Sequence, residues 1–188
     1  MNGDFVMNYD EKTVKTKHIY SGNIIDVDVL TVKLPNEKEA TREIVLHPGA
    51  SAVVPINENR EIYMVEQFRK PLESVSLEIP AGKLDKGEDP MECAARELKE
   101  ETGLTAERMK HATSIHTTPG FSNEVLHIYI ATGLKEGDPC ADEDEFVSTK
   151  KVPIDKLINM IVSGEITDGK TIIGILMADK IVKGEINI

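Results

Sequence analysis

Residues 82–104 read GKLDKGEDPMECAARELKEETGL, and the reading of this stretch decides how the rest of the chain is read. It begins as a loop and ends as a helix. Asp89 can cap the helix N-terminus, Pro90 suits the first helical position, and Glu92 stands where a capping box needs an acid. Gly103 supplies the stop, because glycine takes the left-handed conformation that ends a helix. Met91, Ala94, Ala95 and Leu98 recur at helical spacing and predict a narrow apolar stripe. On the other side, Glu97, Glu100 and Glu101 crowd one flank at spacings of three and four. Carboxylates that close repel, so a cation is expected among them. Arg96 is one candidate, and a hard divalent ion such as Mg²⁺, which prefers oxygen ligands, is the other. Without such a cation the same pattern is a solvated acidic helix face.

Upstream, Ser76-Leu77-Glu78-Ile79-Pro80 predicts a short strand that delivers Ala81 and Gly82 to this stretch. Residues 51–56 predict a buried strand. Residues 61–66 are expected as its partner across a turn at 57–60, and Gln67-Phe68-Arg69-Lys70-Pro71 ends that partner. Downstream, 108–116 and 125–132 read as strands on either side of the loop TTPGFSNE at 117–124. A long polar, acidic segment at 135–145 has the length of a functional loop. A strand at 146–152 and helices at 154–162 and 170–182 complete the chain, with Ile173, Leu176, Met177 and Ile181 as the apolar face of the last. Near the N-terminus, 24–34 and 42–46 predict an antiparallel hairpin about a turn at 35–38. Such a small sheet is marginal alone and is expected to pack on the main domain or a second subunit.

The 188 residues suffice for one domain with a core plus a small extension, and 40% hydrophobic with 29% charged residues suits a globular chain. No apolar run is long enough to cross a membrane, no secretory signal is visible, and Cys93 and Cys140 lack metal-type spacing, so a reduced, cytoplasmic location is expected. Cys93 reads as a packing residue, and His116 and His127 as satisfied sheet histidines. A net charge of −11 argues against a general nucleic-acid binder. It also repels anionic substrates, unless bound divalent cations invert the local field.

Read as Gly82, Glu88, Arg96-Glu97-Leu98, Glu100-Glu101 and Gly103-Leu104, the opening stretch resembles the complete Nudix box, with every defining position matched and no insertion. Pro119, sixteen residues after Gly103, together with VEQFRKP at 65–71 and the acidic DEDEF at 142–146, is similar to the ADP-ribose pyrophosphatase subfamily. The resemblance implies an α/β fold: an α/β/α sandwich around a mixed central sheet, with a small N-terminal antiparallel β-sheet that is often exchanged within a homodimer. The expected division is an extension over 1–47 and a hydrolase domain over 48–188.

The implied chemistry is metal-assisted hydrolysis of a diphosphate, ADP-ribose giving AMP and ribose 5-phosphate, with Mg²⁺, or Mn²⁺ in its place, as the cofactor. Glu97 and Glu101 are the expected metal ligands, with Glu100 in or beside that shell and the Ala81 carbonyl adding an oxygen. Gly82 lets the loop pass close, and Arg96 with Glu88 ties loop to helix. Arg69 is the candidate for pairing with a substrate phosphate, and Pro119 and Glu124 for contacting the rest of the substrate. Either Glu143 or Glu145 is the expected general base. Competing expectations are a Nudix hydrolase acting on a nucleotide sugar or a dinucleotide coenzyme, and a non-catalytic ADP-ribose-binding module. The last is disfavoured because all three box glutamates are present.

Overall fold

In the computed structural model, which describes residues 8–137 and 146–187, the chain divides into two compact units. One comprises Met1–Pro48 with Thr118–Glu124, the other Gly49–Thr117 with Val125–Ile188.

The first unit is a three-stranded antiparallel sheet. Strand β1 (Lys12–Ser21) pairs with β2 (Asp26–Lys33), and β2 pairs with β3 (Glu39–Leu46). The β2–β3 pair is the hairpin expected from the sequence. Thr118–Glu124 belongs to this unit through backbone bonds: Val45 N–H donates to Phe121 O at 2.8 Å, and Asn123 N–H donates to Val45 O at 3.3 Å. Asn123 Oδ1 also accepts from His47 N–H at 2.8 Å. No local signal in TTPGFSNE announces this return.

The second unit holds strands β4 (Ala50–Pro55), β5 (Glu61–Arg69), β6 (Ser74–Glu78) and β7 (Ala81–Lys83), then helix α1 (Pro90–Thr102). Strands β8 (Thr105–His116), β9 (Val125–Lys135) and β10 (Ser148–Pro153) follow, then helices α2 (Ile154–Ser163) and α3 (Gly169–Val182). One sheet runs β7-β4-β9-β8, with β4 and β9 parallel and the other pairs antiparallel; a second runs β10-β5-β6. The expected β4–β5 hairpin is therefore corrected. Among the described residues no ladder joins the two strands; one antiparallel bridge, Ile56 to Ile62, lies just past the end of β4, and β4 pairs instead with β7 and β9. The turn at 57–60 switches the chain between sheets.

Strand β4 is buried along its whole length, so its residues serve both faces. Ala52 and Val54 pack in a cluster with Ile79, Ile128, Leu157 and Ile175, on the side of α2 and α3. Val53 packs with Ala94, Leu98 and Leu104, on the side of α1. A mixed sheet layer between α1 and the α2–α3 pair results, the α/β/α arrangement expected.

Two helix faces differ from expectation. In α1, Met91 is 47% exposed and Ala95 is exposed, while the buried residues are Cys93, Ala94, Glu97, Leu98, Glu101 and Thr102. In α3, Ile173 and Ile181 pack against the core as expected, but Leu176 is exposed and the buried set is Thr171, Gly174, Ile175, Ala178 and Asp179. There a glycine permits the close approach. A Cβ at Gly174 would lie 2.9 Å from both Ile79 Cδ1 and Val54 Cγ2. Phe146, expected in the last strand, is 88% exposed and precedes β10.

Candidate active site

The helix that organises the site is capped as the sequence predicts. Asp89 Oδ1 accepts from Met91 N–H at 2.8 Å, Pro90 takes the first helical position, and Gly103 closes the helix at φ 73°. Its buried face is unusual in carrying charge. Glu97 and Glu101 are 9% and 7% exposed and lie among Ala94, Leu98 and Thr102. A carboxylate removed from water needs partners, and the strand that enters the box supplies them. Ala81 N–H donates to Glu101 Oε2 at 3.1 Å. Gly82 lies so close to Glu97 that any Cβ there would overlap its carboxylate. Glycine is needed here for space, not for a special backbone angle.

Arg96 binds the acids together. Its Nε and Nη2 donate to Glu88 at 2.8 and 3.1 Å, and its Nη1 donates to Glu97 Oε1 at 2.6 Å and Glu100 Oε2 at 2.9 Å. Nη2 also reaches the Lys83 carbonyl at 3.3 Å, so loop and helix are tied at several points. These hydrogen bonds hold the Glu88 carboxyl at about 2 and raise the Arg96 guanidinium above its ordinary value. Cys93 is fully buried beneath the loop, and burial first, then the nearby Glu88, pushes its thiol up to about 12. The neutral S–H faces the Gly82 and Lys83 carbonyls at 3.7 and 3.6 Å, as a packing residue. Among the described residues, no three acidic, histidine or cysteine side chains form a ready-made metal cage. Arg96 Nη1 lies between Glu97 and Glu100 instead.

The structure thus brings Ala81, Gly82, Glu88, Arg96, Glu97, Glu100 and Glu101 together. Arg69, at the end of β5, directs Nε and Nη2 at Glu78 in a two-pronged pair of 2.8 and 2.6 Å; these bonds raise its pKa against the opposing effect of burial, and the charges of Asp168 and Glu101 add to them. Pro119 and Glu124 lie in the loop of the N-terminal unit, where Glu124 Oε1 stands 3.5 Å from His47 Nδ1. Glu143 and Glu145 lie outside the described residues. His127 Nδ1 bonds the Ser114 hydroxyl at 2.8 Å, and His116 is exposed.

Sequence reasoning passed over Glu78, which is 2% exposed and also accepts from Lys170 Nζ. Burial alone would raise its carboxyl; the Arg69 hydrogen bonds and the Lys170 charge outweigh that and hold it at about 2. A lone acid between Leu77 and Ile79 in a short apolar strand was the available signal.

The family model of the NUDIX domain matches residues 45–172, which contain every element of this constellation. The chain belongs to the Nudix family. It is 48% identical to the methanol dehydrogenase activator of Bacillus methanolicus, over 89% of this chain and 91% of that protein. It is 47% identical to the ADP-ribose pyrophosphatase of Bacillus subtilis, over 86% of this chain and 89% of that one. A solved structure titled as an ADP compounds hydrolase has the same Nudix fold, with a TM-score of 0.85 over 95% of this chain and 98% of that chain, at 19% identity.

Proposed function

We propose that this Nudix protein hydrolyses the diphosphate bond of ADP-ribose, releasing AMP and ribose 5-phosphate. The observation that carries the reading is the burial of Glu97 against the bare backbone of Gly82 and of Glu101 against the Ala81 N–H, with one guanidinium among three carboxylates. Its support on substrate comes from the pyrophosphatase relative at 47% identity.

The donor set fits a divalent cation, Mg²⁺ or Mn²⁺, because hard oxygens are in excess of positive charge. Glu97, Glu100, Glu101 and the Ala81 carbonyl would hold it. When bound, such an ion neutralises diphosphate charge and makes water more acidic. The chain's own residues do the rest. Arg96 and Glu88 fix the loop against the helix, so that the carboxylates keep their orientation. Arg69 offers its guanidinium to a phosphate oxygen, and Pro119 and Glu124 contact the remaining substrate. Glu143 or Glu145 takes the proton from the attacking water. Residues 1–47 serve as a dimerisation extension to a hydrolase domain over 48–188, in a cytoplasmic homodimer without nucleic-acid or membrane partners.

The test is a panel of ADP-ribose, GDP-mannose and NADH with Mg²⁺, read by AMP release. AMP from ADP-ribose at the highest kcat/KM supports the reading. A nucleotide sugar or a dinucleotide coenzyme cut faster replaces the substrate, and tight ADP-ribose binding without AMP makes the chain a binding module. The name of the Bacillus methanolicus relative favours a second role, with a methanol dehydrogenase as protein partner; stimulation of that enzyme by this chain checks it.

A further inference from the structure

The first turn of α3 grips the strand that enters the box. Lys170 Nζ donates to Glu78 Oε2, and the Thr171 hydroxyl accepts from the next residue, Ile79 N–H, at 3.0 Å. Two residues further on, Ala81 N–H reaches Glu101. Residues 78–81 are therefore anchored in succession, first by α3 and then by α1. Lys170 is well placed for this. Its side chain is 11% exposed, and its other contact is Asp168 at 3.0 Å. That acid also caps α3 through Thr171 N–H, so it is not spent on Lys170 alone.

Glu78 thus stands between two cations, Lys170 and Arg69. The carboxylate takes the Nε–Nη2 edge of Arg69, while Nη1 has no acceptor among the described residues. A guanidinium held by one edge presents the other in a fixed direction. Arg69, Glu78, Asp168 and Lys170 line a cavity of about 400 Å³ together with Pro71, Ser76 and Gly169. Without Lys170, a buried Glu78 would be balanced by Arg69 alone, and the guanidinium would be drawn inward as a neutral pair.

We propose that Lys170 is a positioning residue for substrate binding: by sharing Glu78 it holds Arg69 with one edge turned to the diphosphate. This rests on the reading of Arg69 as a diphosphate contact in an ADP-ribose hydrolase. Lys170 itself touches no substrate atom. Its influence is transmitted through Glu78, so the expected mark is weaker substrate binding that depends on Arg69.

The experiment compares wild type, Lys170→Met, Lys170→Arg, Arg69→Gln and the Lys170→Met/Arg69→Gln double variant. Steady-state kinetics are measured with ADP-ribose and Mg²⁺, and equilibrium binding of ADP-ribose is measured in chelator, where nothing turns over. Lys170→Met is expected to raise KM and the chelator Kd about ten-fold with kcat changed less than about three-fold, and Lys170→Arg to restore both within about three-fold. In the Arg69→Gln background the Lys170→Met effect is expected to shrink below about two-fold. Where Lys170→Met does not fold, Lys170→Gln takes its place under the same criteria. An unchanged KM, a fall confined to kcat, or an equal loss with and without Arg69 overturns the proposal while wild type still cleaves ADP-ribose. Failure of wild type to cleave ADP-ribose overturns the functional reading and this proposal with it.

Discussion

Two ionic clusters flank the short segment at 78–81, and they differ in charge balance: one carries carboxylates in excess, the other is neutral. At the box, one guanidinium, Arg96, serves three carboxylates, Glu88, Glu97 and Glu100. At the other end, two cations, Arg69 and Lys170, face two carboxylates, Glu78 and Asp168, so the charges balance. The first arrangement leaves carboxylate charge in excess; the second is balanced overall and leaves the Nη1 edge of Arg69 without an acceptor among the described residues. In a chain of net charge −11, the two ends of one short segment thus differ: an uncompensated acidic cluster at one, a guanidinium edge in a neutral cluster at the other. If this contrast is functional, damage to each cluster should have a different signature. The sharpest blow falls on the acidic end. Glu101→Gln is expected to cut turnover by about a thousand-fold, a loss on the scale of removing one preorganised charge-stabilising group. Isothermal titration with Mn²⁺ should show weaker metal uptake in the same variant. Retained turnover would end the comparison.

The balanced end has a pH signature. The folded Glu78 carboxyl sits at about 2, below its ordinary value of 4.5. A depressed carboxyl contributes stability that is fully present above its unfolded pKa and is lost as pH falls toward the folded one. Between pH 4.5 and 2 this group should therefore withdraw on the order of 3 kcal/mol. Denaturant melts of wild type and Glu78→Gln across that window measure it, and the variant's curve should be flatter. Equal slopes would mean that the buried pair does not couple to folding.

A smaller effect is expected from Arg96→Met, which removes the common partner of the box acids. Loss of a group that orients ligands typically costs about 10–100-fold in metal affinity or activity. The variant should also melt lower than wild type in chelator, because Glu97 and Glu100 then lose the cation they share. Added Mg²⁺ should recover part of that difference. Absence of recovery would separate the acidic cluster from metal binding.

The two clusters also differ in how far they could be read in the sequence. The box was legible because its logic is local: Asp89, Pro90 and Gly103 bound one helix, and Arg96 meets Glu97 and Glu100 within a single turn. Even there, hydrophobicity misled. The apolar Met91 and Ala95 face outward, whereas Glu97 and Glu101 turn in, because backbone at Ala81 and Gly82 is there to receive them. The Glu78 cluster was illegible because Lys170 is 92 residues away, and nothing local to either residue encodes their meeting. The sheet order failed to show for the same reason. A turn at 57–60 looks like a hairpin, but the parallel pairing of β4 with β9 is decided by the packing of Ala52, Val54 and Ile128.

The gentlest change tests whether residues 78–81 respond to position or to charge. Gly174→Ala adds one methyl beneath Ile79, 2.9 Å from its Cδ1 and from Val54 Cγ2, and alters no charge. Two effects oppose each other. Alanine favours the helix over glycine by about 1 kcal/mol. Overpacking a tight contact costs about 1–3 kcal/mol. The near atoms belong to Val54 and Ile79, both fully buried and β-branched, so the cost should lie mid-range at about 2 kcal/mol, giving a net loss of about 1 kcal/mol and a drop of about 2–4 °C in Tm. Displacing Ile79 slightly should leave the Glu78 ion pairs intact, and KM for ADP-ribose should stay within about two-fold of wild type. If Gly174→Ala raises KM as much as Lys170→Met does, the segment acts as a mechanical spacer between two helices, and the difference in charge balance between its two ends is incidental.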